Sequence, residues 1–282
     1  IKIDTMIQLG KKNTLTVLRK VDFGFYLDGA EYDSILLPKR YAPEDLKDGD
    51  EIEVFIYLDS EDRIIATTET PLVCVNECGY LVAKDVNDFG AFLDWGLSKD
   101  LFVPFREQKM RMVAGKKYWV YVYVDTETDR IVASAKIDKF LDKYNPPYSE
   151  GDEVAIKIHS LCDLGTKVIV DDLYWGIIYE NEIFEKLTIG ETRIAFIKKI
   201  REDLKLDISL TKTGYQNKIS DIEETIVAAL EAHNGFLALT DKSSADEIKD
   251  TLSMSKKSFK MAIGGLYKMG KITIEDSGIR LL

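Results

Sequence analysis

The chain has 282 residues, 45% of them hydrophobic and 31% charged, which is ordinary globular chemistry with room for several compact domains. Its net charge of −11 excludes a protein that coats nucleic acid through bulk charge, so any such binding has to be local. The longest apolar run, Tyr118 to Val124, falls well short of the ~20 residues of a membrane-spanning helix, and Ile1-Lys2-Ile3-Asp4 lacks the start of a secretory signal.

In chain order, Thr14 to Leu18 and Phe23 to Leu27 read as strands, with turns at Asp28-Gly29 and Asp48-Gly49. After Gly49 the chain alternates, Ile52, Val54, Ile56 and Leu58 on one face and Phe55 and Tyr57 on the other. A last strand starts at Arg63. Five short strands in this length predict a small closed barrel of the five-stranded Greek-key type. The stretch Asp22-Phe23-Gly24-Phe25-Tyr26-Leu27 then returns 66 residues later as Asp88-Phe89-Gly90-Ala91-Phe92-Leu93, and Gly49 is answered by Gly115. The chain is therefore a tandem array. In the second copy Trp119, Tyr121 and Tyr123 form an outward aromatic ladder, expected, like Phe55 and Tyr57, to bury against a neighbouring barrel.

Asn145-Pro146-Pro147 breaks the chain before a third, diverged copy, in which Gly165 and Gly190 keep the spacing of Gly90 and Gly115. From Ile219 the period becomes helical. Ser220-Asp221-Ile222-Glu223 and Ser244-Ala245-Asp246-Glu247 read as capping boxes, Ser255 as the cap of a third helix reaching Met269, and Lys271 to Leu282 as a hairpin turning at Asp276-Ser277-Gly278. Helix, helix, helix, hairpin is a winged helix-turn-helix order. The expected domains are residues 1–70, 71–145, 146–215 and 216–282: three barrels and a winged helix, mainly β.

In an extended strand Phe89 and Phe92 fall on opposite faces; a bulge at Gly90 would bring both rings to one face as a platform for bases. Barrel core is the alternative reading for either ring. At these residues the sequence resembles the S1 RNA-binding domain, whose signature is matched by Phe89, Gly90, Ala91, Phe92, Leu93, Gly115, Asp125 and Arg130, and by Phe23, Gly24, Tyr26, Gly49, Asp59 and Arg63. The resemblance implies an RNA face made of the two aromatics, a histidine and the Asp/Arg pair. Pro38 and Pro104 stand near the histidine position in the first two copies, so that contact is lost there. In the third copy Leu164 and Lys167 replace the aromatic pair, Tyr179 takes the histidine position, and Arg201 and Lys205 replace the Asp/Arg pair. Trp175 and Tyr179 are candidates for stacking, and Lys198, Lys199, Arg201 and Lys205 for phosphate.

Between Ser253 and Lys271 stand five lysines, Lys256, Lys257, Lys260, Lys268 and Lys271, and no acidic residue. On a helix Lys257, Lys260, Gly264 and Lys268 lie opposite Phe259, Ala262, Ile263 and Leu266, which predicts an exposed basic stripe. Asp241-Lys242-Ser243-Ser244 and Ile263-Gly264-Gly265-Leu266, behind three S1-like copies, are similar to segments of the conserved virulence factor B family. That resemblance implies a cytoplasmic bacterial RNA-binding protein that regulates gene expression.

The expected partner is single-stranded RNA. DNA in a groove under the basic helix, or a protein partner for barrels with eroded RNA faces, are the alternatives. No nucleophile and base stand at suggestive spacing and no phosphate-binding glycine loop occurs, so no enzyme is expected. Cys74 and Cys78 could form half a metal clip, but His159 and His233 lie far from them in sequence, so neither a metal site nor a cofactor is expected, and three cysteines, Cys74, Cys78 and Cys162, as plain thiols fit a reducing compartment.

Overall fold

The structure is a computed structural model that describes residues 6–183, 186–211 and 213–282. Three closed five-stranded barrels follow one another. The first holds β1 (Lys12–Val21), β2 (Gly24–Asp28), β3 (Ser34–Pro38), β4 (Glu51–Leu58) and β5 (Ile64–Thr67). The second holds β6 (Cys78–Val86), β7 (Gly90–Asp94), β8 (Leu101–Pro104), β9 (Lys117–Val124) and β10 (Ile131–Ser134). The third holds β11 (Glu153–Cys162), β12 (Gly165–Val170), β13 (Tyr174–Tyr179), β14 (Thr192–Ile200) and β15 (Leu206–Ser209). In each, the third strand closes the barrel by pairing parallel with the fifth, and a single 3-10 turn follows the third strand. The fold expected from the landmark spacing is the one observed.

The repeated glycine has a steric reason. At Gly24, Gly90 and Gly165 a Cβ atom would lie 2.2, 2.3 and 2.1 Å from the carbonyl oxygens of Leu37, Val103 and Ile178 on the next strand. The second strand of each barrel approaches the third too closely for any side chain. The bulge expected at Gly90 lies instead across the hairpin. Register shifts fall between Val17 and Arg19 on β1, Ala83 and Asp85 on β6, and Ile158 and Ser160 on β11. Phe89 precedes β7, in the turn, so the two-residue alternation of strands does not govern it.

The β4 alternation divides two cores. Val54 and Ile56 fill the first barrel, whereas Phe55 and Tyr57 are buried in the cluster that also contains Leu93, Trp95, Leu101 and Val120 of the second. Burying a side chain of this size contributes about 1.5–3 kcal/mol. This part of the expectation for the outward ladders holds. Tyr121 and Tyr123 differ: they pack on Phe140, just beyond their own barrel, with ring centroids 4.2 and 5.0 Å away. The chain forms two compact units, the first closing at Leu141 and the second opening at Asp142.

The winged helix runs α1 (Thr213–Ala232), β16 (Phe236–Leu237), α2 (Ala245–Leu252), α3 (Lys256–Lys268), β17 (Ile272–Glu275) and β18 (Gly278–Leu281), with sheet order β16-β18-β17. Ser244 and Glu247 form a reciprocal capping box, and the Ser255 side chain accepts from the Ser258 N–H. The box expected at Ser220 is corrected. Helix α1 starts at Thr213, so Ser220 lies inside it, and neither proline nor glycine between Tyr215 and Ile222 stops the helix earlier. The side chains of Ser220 and Asp221 lie outside the described residues.

These glycines separate two kinds of substitution. Gly165→Ala, at φ +142 and against the Ile178 carbonyl, is expected to destabilise the third barrel by about 1–3 kcal/mol in chemical denaturation followed by Trp175 fluorescence. Gly264→Ala, with open space around its Cβ, is expected to stabilise α3 by about 0.4–1 kcal/mol in thermal melts followed by helical circular dichroism.

Candidate nucleic-acid interface

Three positions recur in each barrel: the residue before the repeated glycine, the residue two places after it, and the end of the third strand. In the first barrel Phe23 is exposed and meets Tyr26 edge-on at 6.3 Å, with the Arg19 guanidinium 4.9 Å from the Tyr26 ring. In the second, Phe89 is 76% exposed and Phe92 packs on Phe102 at 5.1 Å. The strand registers set Pro38, Pro104 and Tyr179 opposite Gly24, Gly90 and Gly165, so the three are equivalent positions.

The Asp/Arg position has diverged more than the sequence suggests. In all three barrels a main-chain bond closes the loop between the last two strands: Asp59 N–H to Arg63, Asp125 to Arg130 and Arg201 to Lys205, each 2.9 Å. Arg63 Nε donates to Asp59 at 2.9 Å. Burial pushes the Asp59 carboxyl up, but the Arg63 side chain and the Arg63 and Glu61 N–H groups outweigh it and hold the carboxyl below its usual range. In the second barrel the pair is broken. Asp125 is taken by Arg106 at 3.3 Å, and Arg130 crosses to Asp62 of the first barrel.

That crossing forms one wall of a groove between the first two barrels, with a volume of about 410 Å³. Phe89, Phe92, Phe102 and Trp95 supply its apolar surface, and Lys99, Arg130, Asp62 and Asp100 its charges. Lys99 Nζ donates to the Asp59 carbonyl at 2.5 Å and lies 3.4 Å from Asp62 Oδ1. Burial raises the Asp62 carboxyl, and Arg130 and Lys99 pull it below the ordinary carboxylate range. Sequence reasoning identified Phe89, Phe92 and Arg130 but missed Phe102, Lys99 and Asp62.

In the second unit, Trp175 is buried, only 7% exposed. Lys167 Nζ sits 3.5 Å from its ring centroid and His159 meets it edge-on. This corrects the expectation of an open stacking surface at Trp175: the residue at the second aromatic position has become a lysine lying on that ring. Tyr179 is half-buried and donates to Asp207 Oδ1 at 3.2 Å. Lys198 pairs with Glu182, Arg201 with Asp203 at 3.2 Å, and Lys199 and Lys205 are exposed. On α3, Phe259, Ala262, Ile263 and Leu266 are buried and Lys257, Lys260 and Lys268 are exposed, as the helical period requires, while Lys256 is half-buried. Lys260 lies 3.9 Å from Asp241, and Lys268 Nζ donates to the Ile183 carbonyl at 3.1 Å, tying the end of α3 to the turn that follows β13.

Among the described residues, no three His, Cys, Asp or Glu side chains come together as a metal site, and no helix is long and apolar enough to cross a membrane. Cys78 is buried and Cys162 exposed.

Comparison with known proteins agrees with this architecture. An S1 domain model matches residues 9–69 and 79–136, and a CvfB-like winged helix domain model matches residues 224–281. S1 domains and winged helices are nucleic-acid-binding modules rather than catalytic ones. Bacillus subtilis YitL is 31% identical over 97% of this chain and 93% of its own length. Conserved virulence factor B of Staphylococcus epidermidis is 25% identical over 91% of this chain and 89% of its own. A crystal structure of a multidomain protein with nucleic acid binding domains from Streptococcus pneumoniae is 25% identical, covering 97% of this chain and 98% of that one at a TM-score of 0.41.

The groove depends on the core that the first two barrels share. Phe55 belongs to the first barrel but lies 5.7 Å from Trp95 of the second. Phe55→Ala is therefore expected to lower the stability of the second barrel by about 3–5 kcal/mol, measured as an earlier denaturation of the Trp95 fluorescence signal.

Proposed function

The chain belongs to the conserved virulence factor B family, and from that premise and the chemistry of its second unit we propose a non-catalytic single-stranded RNA-binding protein that regulates gene expression after transcription. The observation that carries this reading is the solvent face of α3. In a chain of net charge −11, it presents Lys257, Lys260 and Lys268 with no acidic residue in the helix. A cluster of this kind attracts a phosphate backbone locally where the chain as a whole repels it.

Two further features support a joint grip by the third barrel and α3. The Lys268 bond to Ile183 brings α3 against the turn leaving Tyr179, so the helix lysines and the barrel face belong to one compact unit. Lys199 and Lys205 on the barrel add exposed positive charge, and Lys167, held over Trp175, replaces a stacking ring with a cation. Gly264 lies within the basic face with nothing within 4 Å of its Cβ position, which lets a ligand backbone approach the helix closely. With no Arg, Asn or Gln on α3, its lysines act chiefly as point charges on a phosphate backbone, which favours a flexible single strand over sequence readout in a DNA groove.

The test is charge reversal. Lys257→Glu with Lys260→Glu is expected to weaken binding of the full chain to a random single-stranded RNA pool. It should also reduce the slope of log K against log salt by about 0.7 for each lost phosphate contact. Unchanged affinity and slope in filter binding would remove α3 from the interface.

A further inference from the structure

The groove between the first two barrels belongs to the first unit, and its chemistry differs from that of the basic face in the second. Phe89, Phe92, Trp95 and Phe102 come from the second barrel, whereas the carboxylate of Asp62 comes from the loop between β4 and β5 of the first. We infer that this groove binds one unstacked guanine of a single-stranded RNA, with the aromatic rings holding the base and Asp62 reading its edge. The inference rests on the RNA-binding reading and adds a base-selective subsite to it.

Size and surface come first. About 410 Å³ lies within the range of small-ligand sites and accommodates a nucleobase with part of its sugar. Phe89, largely exposed in its turn, and Phe92, backed by Phe102, offer apolar ring faces, and bases of single-stranded RNA are held by such stacking.

Polar complementarity selects the base. A carboxylate has two oxygens with about four acceptor positions. In Asp62, Lys99 approaches Oδ1 and Arg130 bonds Oδ2, which leaves acceptor capacity on both oxygens. Two acceptors side by side match two adjacent N–H donors, and among the four RNA bases only guanine presents two on one edge, at N1 and N2. Next to them guanine carries the O6 acceptor. The cations flanking Asp62 supply donors for it: an ammonium has three N–H groups and a guanidinium five, and only some are engaged. Adenine and cytosine each place a single donor group beside ring acceptors, and uracil places one N–H between two carbonyls. None of these three pairs with both oxygens of Asp62, whose side chain is 37% exposed, and the loss of the bidentate contact is what produces discrimination.

Lys99 and Arg130 thus have two functions here. They hold Asp62 ionised, as the depressed carboxyl shows, and they orient it across the barrel junction. Asp100, the other carboxylate lining the groove, is paired with Lys84 at 2.9 Å and is less available to a base.

The experiment uses the full chain and labelled oligouridine strands carrying one central G, A, C or U, with fluorescence anisotropy as the readout. The central-G strand is expected to bind about tenfold more tightly than the other three, the low end of the discrimination given by one bidentate base contact. Asp62→Asn, whose amide supplies one acceptor instead of two, should bring the four strands to within about twofold of one another while its circular dichroism matches the parent. Phe89→Ala should weaken all four strands alike. Equal binding of the four strands by the parent chain, or a G preference that survives Asp62→Asn, overturns the guanine site and leaves the RNA-binding reading standing. Failure of every strand to bind overturns both. Displacement of the G strand by GMP at the strand's own concentration would assign the groove to a free nucleotide and overturn its role on RNA.

Discussion

The architecture depends on a contact in which a side chain has no room. At Gly24, Gly90 and Gly165 the second strand presses onto a carbonyl of the third at a separation that excludes a Cβ atom. That approach fixes the barrel's register, and the register decides which residues meet on its surface. The residue before the glycine is placed in the turn, where Phe23, Phe89 and Leu164 all stand more than half exposed. The residue opposite the glycine ends the third strand and is always followed by a 3-10 turn. One steric constraint, applied three times, builds three equivalent surfaces and leaves their chemistry free to change.

The chemistry has changed in a graded way. The first barrel keeps an aromatic pair and an intact Asp59–Arg63 bond. The second keeps the aromatics but lends its arginine to its neighbour, so its surface is completed by Asp62. The third has exchanged rings for cations: Lys167 lies on Trp175 instead of another ring standing beside it, and Arg201 and Lys205 occupy the loop positions that Asp59 and Arg63 hold in the first. Aromatic surface and positive charge are thereby divided between the two compact units. In the proposed reading, stacking falls to the first unit and phosphate attraction to the second, where α3 adds its lysines.

Most of the fold was legible because its constraints are local and repeated. The glycines, the alternation of Ile52 to Leu58 and the caps Ser244 and Ser255 each act within a few residues, and a repeat displays them more than once. The losses share a different cause. Arg130 pairs with a residue 68 positions away in another repeat, and within its own repeat Asp125 looks like the natural partner. Trp175 reads as a surface aromatic until Lys167 is seen to cover it. Ser220 carries the letters of a cap, but the chain leaves β15 and is helical by Thr213, so the letters fall inside the helix. For the site, the ring positions could be read from the motif, whereas Phe102, Lys99 and Asp62 enter only because two barrels meet.

That meeting makes the sequence repeat and the folded unit different lengths. The motif recurs after one barrel, but Phe55 and Tyr57 of the first barrel are interior residues of the second. A boundary drawn between the two copies therefore passes through a common interior, and separating them would leave two aromatic rings in water and a void in the barrel they fill. The first unit closes at Leu141, just before the proline-bearing segment around Asn145.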